Sequence, residues 1–274
     1  MSKSVVITDL DGTILPRGGR ISGAVLDAFQ RIGKSGNVRI IATGRNLYSA
    51  RQVLADDFPI DYLVFASGAG VMRWRDKKIL SAYHLSEKDA HEIARYLWDF
   101  SINFTVQREI PNNHYYYYTE HYPQHSDYLR RLETYKMFGI PISSPEEIHG
   151  EITQFVMILD AVQLRLIEDI RMQLAGYSIV RTTSPLDNRA IWLEIFAKGV
   201  NKGTACRNLL EWLGIDCANC VGLGNDYNDV DFLDICGHAA VVSNAPVQLK
   251  ALYKTVASDR EDGFVEFVIK NLMI

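Results

Sequence analysis

Short apolar runs alternate with amphipathic segments at the start of the chain. The apolar run Val5 to Ile7 indicates a buried strand, Ser22 is placed to cap a helix with a helical apolar stripe, and Val38 to Ala42 indicates a second strand. A helical pattern follows from about Leu47 to Leu54, before a third strand at Tyr62 to Ala66. This βαβαβ order is typical of a parallel sheet with helices on both faces and right-handed crossovers.

The pattern changes between about His84 and Arg189. Ser86 and Asp89 form a capping-box pattern before an amphipathic helix, and the strands and helices that follow no longer alternate strictly. Buried strands and helices in alternation return with Ile191 to Phe196. We therefore predict an α/β fold with a Rossmann-like, doubly wound, mainly parallel core formed by residues 1–83 and 190–274, and an inserted α+β domain at residues 84–189.

Composition narrows the classes of function. The chain has 274 residues, of which 47% are hydrophobic, enough for sizeable cores. Its 29 Lys and Arg against 33 Asp and Glu leave a net charge of −4, which favours neither nucleic acid nor anionic membranes as partners. No stretch reaches the roughly 18 apolar residues of a membrane span, and the first residues lack a signal-peptide pattern. We expect a cytoplasmic protein that acts on small molecules.

All four cysteines lie in the last quarter of the chain. They are Cys206, Cys217, Cys220 and Cys236, and the middle two have the C-x-x-C spacing of zinc sites and redox motifs. No second pair with such spacing follows. Reduced thiols packed beside helices are therefore the preferred interpretation.

The segment Asp9-Leu10-Asp11-Gly12-Thr13 directly follows the first buried strand. Residues two apart at a strand end project in the same direction, so the carboxylates of Asp9 and Asp11 are expected to converge on one site. Such a pair suits a divalent cation and its substrate. Gly12 permits the tight turn that brings backbone N–H groups towards a phosphate.

Three further polar segments follow predicted strands or begin a predicted helix. They are Thr43-Gly44-Arg45 after the second strand, Asn201-Lys202-Gly203-Thr204 at a helix start, and Gly224-Asn225-Asp226-Tyr227-Asn228-Asp229 after a late strand. In doubly wound sheets, ligands bind at the carboxyl ends of the strands. We expect the segments that follow strands to reach the same edge as Asp9.

With these four segments in this order, the sequence resembles the haloacid dehalogenase-like phosphatases over its whole length. Within them it is most similar to the Cof-type and sucrose-phosphatase-like branch, which has a large α/β cap inserted between the second and third motifs. The family order is a D-x-D-G-T loop, a Thr or Ser after the second strand, a Lys at a helix start, and an acidic G-D-x-x-N-D loop. The inserted domain predicted above occupies the position of that cap.

The resemblance implies roles for four catalytic residues. Asp9 is the nucleophile that becomes phosphorylated, and Asp11 protonates the leaving alcohol and later activates water. Thr43 holds a phosphoryl oxygen, and Lys202 neutralises charge on Asp9 and the phosphate. Phosphoryl transfer spreads negative charge over three oxygens, so a carboxylate nucleophile needs a cation, and the implied cofactor is Mg²⁺.

The implied ligand sets extend to neighbouring positions. The substrate or phosphate contacts are Thr43, Gly44, Arg45, Lys202 and Asn228, and the candidate metal ligands are Asp9, Asp11, Asn225, Asp226 and Asp229. One departure from the family pattern is Asn225, which stands where the acidic loop has its first Asp and brings an oxygen without charge. Asp226 is a possible substitute ligand, while Asp229 either reaches the metal through water or orients Lys202.

The expected activity is hydrolysis of small phosphate esters, with sugar phosphates as the leading class. A phosphomutase-type phosphotransferase and a non-catalytic phosphate-binding regulatory protein are the alternatives. The resemblance also places specificity residues in the cap, where His114 to His125 combines histidines with a run of four tyrosines. That run also fits a half-buried edge strand. The oligomeric state is left open between monomer and weak dimer.

Overall fold

A computed structural model describes residues 4–121, 125–160, 162–184 and 190–272. The chain divides into two units, the first comprising Met1–Arg45, Ser49–Ser81 and Asn201–Ile274, and the second Asn46–Tyr48 and Ala82–Val200. No helix among the described residues is long and apolar enough to cross a membrane.

The described residues form strands and helices in the following order. The strands are β1 (Val5–Thr8), β2 (Val38–Ala42), β3 (Tyr62–Phe65), β4 (Gly70–Arg73), β5 (Lys78–Ala82), β6 (Phe104–Arg108), β7 (Tyr116–Tyr118), β8 (Gly139–Pro141), β9 (Ile152–Leu159), β10 (Ser178–Thr183), β11 (Ile191–Phe196), β12 (Cys220–Gly224), β13 (His238–Val242) and β14 (Lys254–Val256). The α-helices are α1 (Gly23–Lys34), α2 (Leu47–Arg51), α3 (Glu87–Asp99), α4 (Ser126–Thr134), α5 (Leu164–Gln173), α6 (Lys202–Leu213), α7 (Val230–Leu233), α8 (Val247–Leu252) and α9 (Gly263–Leu272). Short 3₁₀ turns lie at Ala66–Gly68, Trp74–Asp76, Lys136–Phe138, Pro145–Glu147, Cys217–Asn219 and Tyr227–Asp229.

The first unit is built on an eight-stranded sheet with the order β14-β13-β12-β1-β2-β3-β4-β5. The six strands from β14 to β3 pair in parallel, and β4 then pairs antiparallel with β3. All four residues of β1 are buried, as expected of a central strand covered on both faces. The predicted mainly parallel α/β fold is confirmed.

Helix α1 shows how local sequence signals produce this unit. The Ser22 side chain accepts a hydrogen bond from the Val25 N–H at 3.2 Å, which caps the helix as the sequence predicts. Ile32 and Phe29 are buried on its apolar side, and the Phe29 ring stacks on Phe264 of α9 at 4.8 Å between centroids. Helix α9 therefore closes the core against α1.

The second unit has a six-stranded sheet with the order β10-β11-β9-β6-β7-β8. Its apolar core combines the sheet with α3 and α5, through residues such as Ile93, Leu97, Phe155 and Ile170. Ser86 and Asp89 form the predicted capping box of α3.

The prediction that the first unit resumes at residue 190 is wrong. Strand β11, predicted as part of the core, pairs antiparallel with β9 and β10, so it belongs to the second sheet. The chain returns to the first unit at Asn201. The six residues of β11 are apolar except for Glu194, and such a run shows that a strand is buried but not which sheet it joins, which caused the error. Residues 185–189, assigned to the end of the inserted domain, lie outside the described residues.

The four cysteines are free thiols, as the composition suggested. Burial raises the pKa of the Cys206 and Cys220 thiols to about 12, so both are neutral and unreactive at neutral pH. Across the described part of the chain, no group of three or more His, Cys, Asp or Glu side chains is arranged to hold a metal ion.

Candidate active site

The site lies at the carboxyl edge of the parallel strands in the first unit. Strand β1 is paired on one side with β2 and on the other with β12, so the residues that follow these three strands meet at one edge. Asp9 follows β1 and its N–H donates to the Leu223 carbonyl of β12 at 2.9 Å. Thr43 follows β2 and is fully buried. The strand order thus brings residues that are distant in sequence together at the carboxyl edge of the sheet.

The Lys202 ammonium lies between two carboxylates at this edge. Its Nζ donates to Asp9 Oδ1 at 2.7 Å and to Asp229 Oδ1 at 2.7 Å, and the three side chains are buried. Asn201 caps α6 by accepting from the Thr204 N–H at 2.7 Å, which fixes the start of the helix where Lys202 stands. The bridge joins positions 193 residues apart, as the resemblance required.

Asp229 is held from its other side by the acidic loop. Its Oδ2 accepts from the backbone N–H groups of Asn225, at 2.8 Å, and of Asp226, at 3.0 Å. Asp226 itself caps the following turn by accepting from the Tyr227 N–H. Both oxygens of Asp229 are therefore bonded to protein donors, which suits orientation of Lys202, one of the two roles considered for it.

The charges of this cluster are unbalanced. Burial raises the pKa of Asp9 to about 7 although the Lys202 ammonium opposes the change, and the carboxylates of Asp229 and Asp11 add to the increase. Burial disfavours the charge of Lys202, but Asp229 and Asp9 outweigh it and raise the pKa of Lys202 above its ordinary value. One ammonium thus serves two buried carboxylates, and additional positive charge would stabilise Asp9 as the carboxylate.

The loop after Asp9 is fixed by contacts from both ends of the sequence. The Thr13 hydroxyl donates to Asp9 Oδ2 at 3.1 Å, and Gly12 adopts a φ of +75°. The Gly12 carbonyl accepts from Asn244 Nδ2 at 2.8 Å. Asn225 also packs here, because a Cβ on Gly12 would lie 2.4 Å from Asn225 Nδ2. A side chain at Gly12 would therefore displace Asn225 from the nucleophile loop.

Asn244 was not predicted as a site residue. It follows β13 and reaches Gly12 across 232 positions, and its Oδ1 also accepts from the Asp259 N–H at 3.2 Å. A single Asn after a strand carries no local pattern. Only its place at the carboxyl edge, after another parallel strand, offered a signal.

Asp11 is held by Arg45 rather than by Lys202. Arg45 Nε donates to Asp11 Oδ2 at 2.8 Å and Nη2 donates to Asp11 Oδ1 at 2.7 Å. The Arg45 backbone N–H donates to Thr43 Oγ1 at 3.1 Å. Gly44, between them, has the Asn228 amide nearby, 3.7 Å from where its Cβ would stand. One part of the carboxyl edge therefore carries all of the predicted substrate residues other than Lys202, namely Thr43, Gly44, Arg45 and Asn228.

The oxygen donors at this edge suit Mg²⁺, which keeps several water ligands, better than a metal ion whose ligands all come from the protein. Lys202 occupies the space between Asp9 and Asp229, and within the described ranges no group of three or more His, Cys, Asp or Glu side chains is arranged to hold a metal ion. Mg²⁺ prefers oxygen ligands and is commonly bound through one or two carboxylates together with waters and substrate phosphate. Asp9 supplies one such carboxylate, and the neutral side-chain amide of Asn225 lies beside the same loop.

The close approach of Gly68 to α6 leads to a stability prediction. Gly68 has a φ of +103°, and a Cβ there would lie 2.2 Å from the Asn201 carbonyl oxygen and 3.1 Å from the Lys202 nitrogen. We expect Gly68→Ala to lower the free energy of unfolding by about 3 kcal/mol, because backbone atoms have to move apart. Urea denaturation measures the change.

Gly36→Ala is the matched control. Gly36 also has a positive φ, of +79°, but no atom lies within 4 Å of its Cβ position. Only the conformational cost of about 1 kcal/mol is expected there. Equal losses for the two variants would contradict the packing of Gly68 against the start of α6.

Comparison with known proteins adds to this geometry. The profile of the haloacid dehalogenase-like hydrolases matches residues 6–269. An HMP-PP phosphatase of Serratia proteamaculans is 28% identical, over 89% of this chain and 85% of its own length. A phosphatase of the same superfamily from Bacteroides thetaiotaomicron superposes with a TM-score of 0.82 at 18% identity, covering 100% of this chain and 96% of its own. The subclass IIB sugar phosphatase BT4131 superposes with a TM-score of 0.78 at 19% identity, covering 99% and 100%.

Proposed function

Because the chain belongs to the haloacid dehalogenase-like hydrolase family, as its motifs predicted, we propose that it is a Mg²⁺-dependent phosphatase of small phosphorylated metabolites that uses Asp9 as nucleophile. The observation that carries the proposal is the buried bridge from Lys202 to Asp9 and Asp229 at the carboxyl edge of the sheet. A nucleophilic carboxylate held by an ammonium is suited to attack on a phosphorus that carries negative charge.

The proposed reaction has two steps. Asp9 Oδ2 attacks phosphorus, the ester oxygen leaves with a proton from Asp11, and an aspartyl phosphate remains on Asp9. Asp11 then takes a proton from the water that attacks this intermediate, and phosphate leaves with Asp9 regenerated. Lys202 keeps its proton throughout and holds Asp9 Oδ1, so the other oxygen faces the substrate. Thr43 is assigned to bind a phosphoryl oxygen.

The metal assignment follows from the donor set. Asp9, Asp11, Asn225 and Asp226 are the residues proposed to hold Mg²⁺. Asp229 is proposed to orient Lys202, because its side chain is completely buried between the Lys202 ammonium and two backbone N–H groups of its own loop. When bound, Mg²⁺ would supply the positive charge that Lys202 alone does not provide for two carboxylates and a phosphate.

Small phosphate esters, and sugar phosphates among them, are the proposed substrates. The HMP-PP phosphatase of Serratia proteamaculans and the sugar phosphatase BT4131 are both named for phosphorylated small molecules. A role for residues 84–189 in choosing the substrate stays a prediction, as do a cytoplasmic location and the oligomeric state.

Metal removal tests the proposal. We expect the protein to release inorganic phosphate from p-nitrophenyl phosphate and from members of a sugar-phosphate panel when Mg²⁺ is present. Excess EDTA should abolish release, and added Mg²⁺ should restore it, because the buried carboxylates need the charge. Phosphate release is measured colorimetrically.

Two outcomes would contradict the proposal. Full activity in EDTA would exclude the metal requirement. Movement of phosphate between positions of a hexose phosphate without release to water would identify a phosphomutase instead.

A further inference from the structure

Arg45 makes several hydrogen bonds within the first unit. Its Nε and Nη2 form a fork on the two oxygens of Asp11, and its Nη1 donates to the Ser49 carbonyl at 3.1 Å. Its backbone N–H is held by Thr43 Oγ1. Hydrogen bonds therefore hold both the backbone and the guanidinium of Arg45 in place. A substrate anion could reach the fork only by displacing Asp11.

We propose that Arg45 is a positioning residue that fixes the orientation of the Asp11 carboxyl group. The inference rests on the proposed function, because it assigns Arg45 to the group that handles the leaving-group proton. It differs from the substrate contact predicted for Arg45 from the sequence. The side chain of Asp11 is 40% exposed, so packing contacts alone restrain the rotation of its carboxyl group only weakly.

The fork supplies the restraint that packing does not. Two parallel N–H···O bonds fix both the place and the plane of a carboxylate, whereas an ammonium fixes only a distance. General acid catalysis requires the acid within hydrogen-bond reach of the leaving oxygen, and small misplacements reduce the rate strongly. A partly exposed ion pair contributes little to the free energy of unfolding. Loss of the Arg45–Asp11 pair should therefore change the orientation of Asp11 more than the stability of the protein.

Arg45→Met tests this role with two substrates. An alkyl phosphate needs a proton on its leaving oxygen, while p-nitrophenolate leaves readily without one. The quantity to compare is kcat/KM, because it covers the steps up to release of the alcohol and not the hydrolysis of the aspartyl phosphate, which both substrates share. We expect Arg45→Met to lower kcat/KM by about 10- to 100-fold for the alkyl ester and to change kcat/KM for p-nitrophenyl phosphate less than about threefold. Arg45→Lys should behave like Arg45→Met, because a lysine cannot form the fork.

Arg39→Met is the matched control. Arg39 forms an equivalent fork on Asp61, through Nε to Oδ2 at 2.9 Å and Nη2 to Oδ1 at 2.8 Å. Asp61 lies just before β3, at the opposite end of that strand from the site. This variant should lose a comparable amount of thermal stability and retain wild-type kcat with both substrates.

The background Asp11→Asn separates positioning from binding. If Arg45 acts through Asp11, adding Arg45→Met to Asp11→Asn should lower alkyl-ester turnover no further. Equal losses of kcat/KM for both substrates, an undiminished effect in the Asp11→Asn background, or full activity of Arg45→Lys would each overturn the inference. A failure of the proposed function is distinct, because the wild-type protein would then release no phosphate.

Discussion

Asp9→Asn is expected to lower kcat for phosphate release by at least about 10⁴-fold. The amide has nearly the shape of the carboxylate but is not a nucleophile, so no aspartyl phosphate can form. Asp9 is buried, and its two oxygens are fixed by Lys202 and Thr13, so the replacement should stay in the same place. Steady-state assays with p-nitrophenyl phosphate give kcat, and rapid acid quenching detects the phosphorylated enzyme.

Stability measurements show whether the loss is chemical. Asp9→Asn removes one of two buried carboxylates that share a single ammonium, so the melting temperature is expected to stay equal or rise. Asp56→Asn is the control, because the Asp56 side chain is 72% exposed and pairs with Arg51 and Lys77 on the surface. A variant at Asp9 with activity within about tenfold of wild type would contradict the nucleophile assignment.

Much of the site could be predicted because it depends on strand order. Asp9, Thr43 and Gly224 each follow an apolar run, and parallel strands deliver their following residues to one edge. The helix caps at Ser22 and Ser86 are likewise local signals that the structure bears out. These features depend on periodicity and short-range hydrogen bonds, which a sequence shows directly.

Long-range side-chain pairing was not predictable in the same way. The fork of Arg45 on Asp11 and the bond from Asn244 to Gly12 depend on three-dimensional spacing at the edge, and charge or residue type alone does not select the partner. The same applies to β11, whose apolar pattern suits either sheet. A related limit affects β8 and β14, which have three residues each, too few for a periodic pattern.

The departure at Asn225 shows what the structure adds to a motif. In the sequence, Asn225 replaces the first Asp of the family's acidic loop, so the loop has one negative charge fewer for binding a metal ion. In the structure the Asn225 N–H binds Asp229, and its side chain packs on Gly12, so the residue connects the acidic loop to the nucleophile loop. The charged side chains at the site are therefore Asp9, Asp11, Asp226 and Asp229 on one side and Lys202 and Arg45 on the other.

Lys202→Met is expected to affect both activity and stability. Removing the ammonium leaves Asp9 and Asp229 buried without their shared partner, which should cost about 3–5 kcal/mol of unfolding free energy. It also removes a preorganised positive charge next to the reacting phosphate, so kcat should fall by about 10²- to 10³-fold. Urea denaturation and steady-state assays measure the two effects.

Adding Asp229→Asn to Lys202→Met separates the two effects. The second change removes one of the uncompensated carboxylates, so part of the lost stability should return, while kcat stays low because the ammonium is still missing. Lys198→Met is the control, since Lys198 is exposed only four positions earlier and its loss should change neither quantity. If Lys202→Met kept wild-type stability and turnover, the ammonium could not be the charge that holds Asp9 in place. Recovery of turnover together with stability in the double variant would instead mean that Lys202 serves the fold alone, because a catalytic charge cannot be replaced by removing an opposite one.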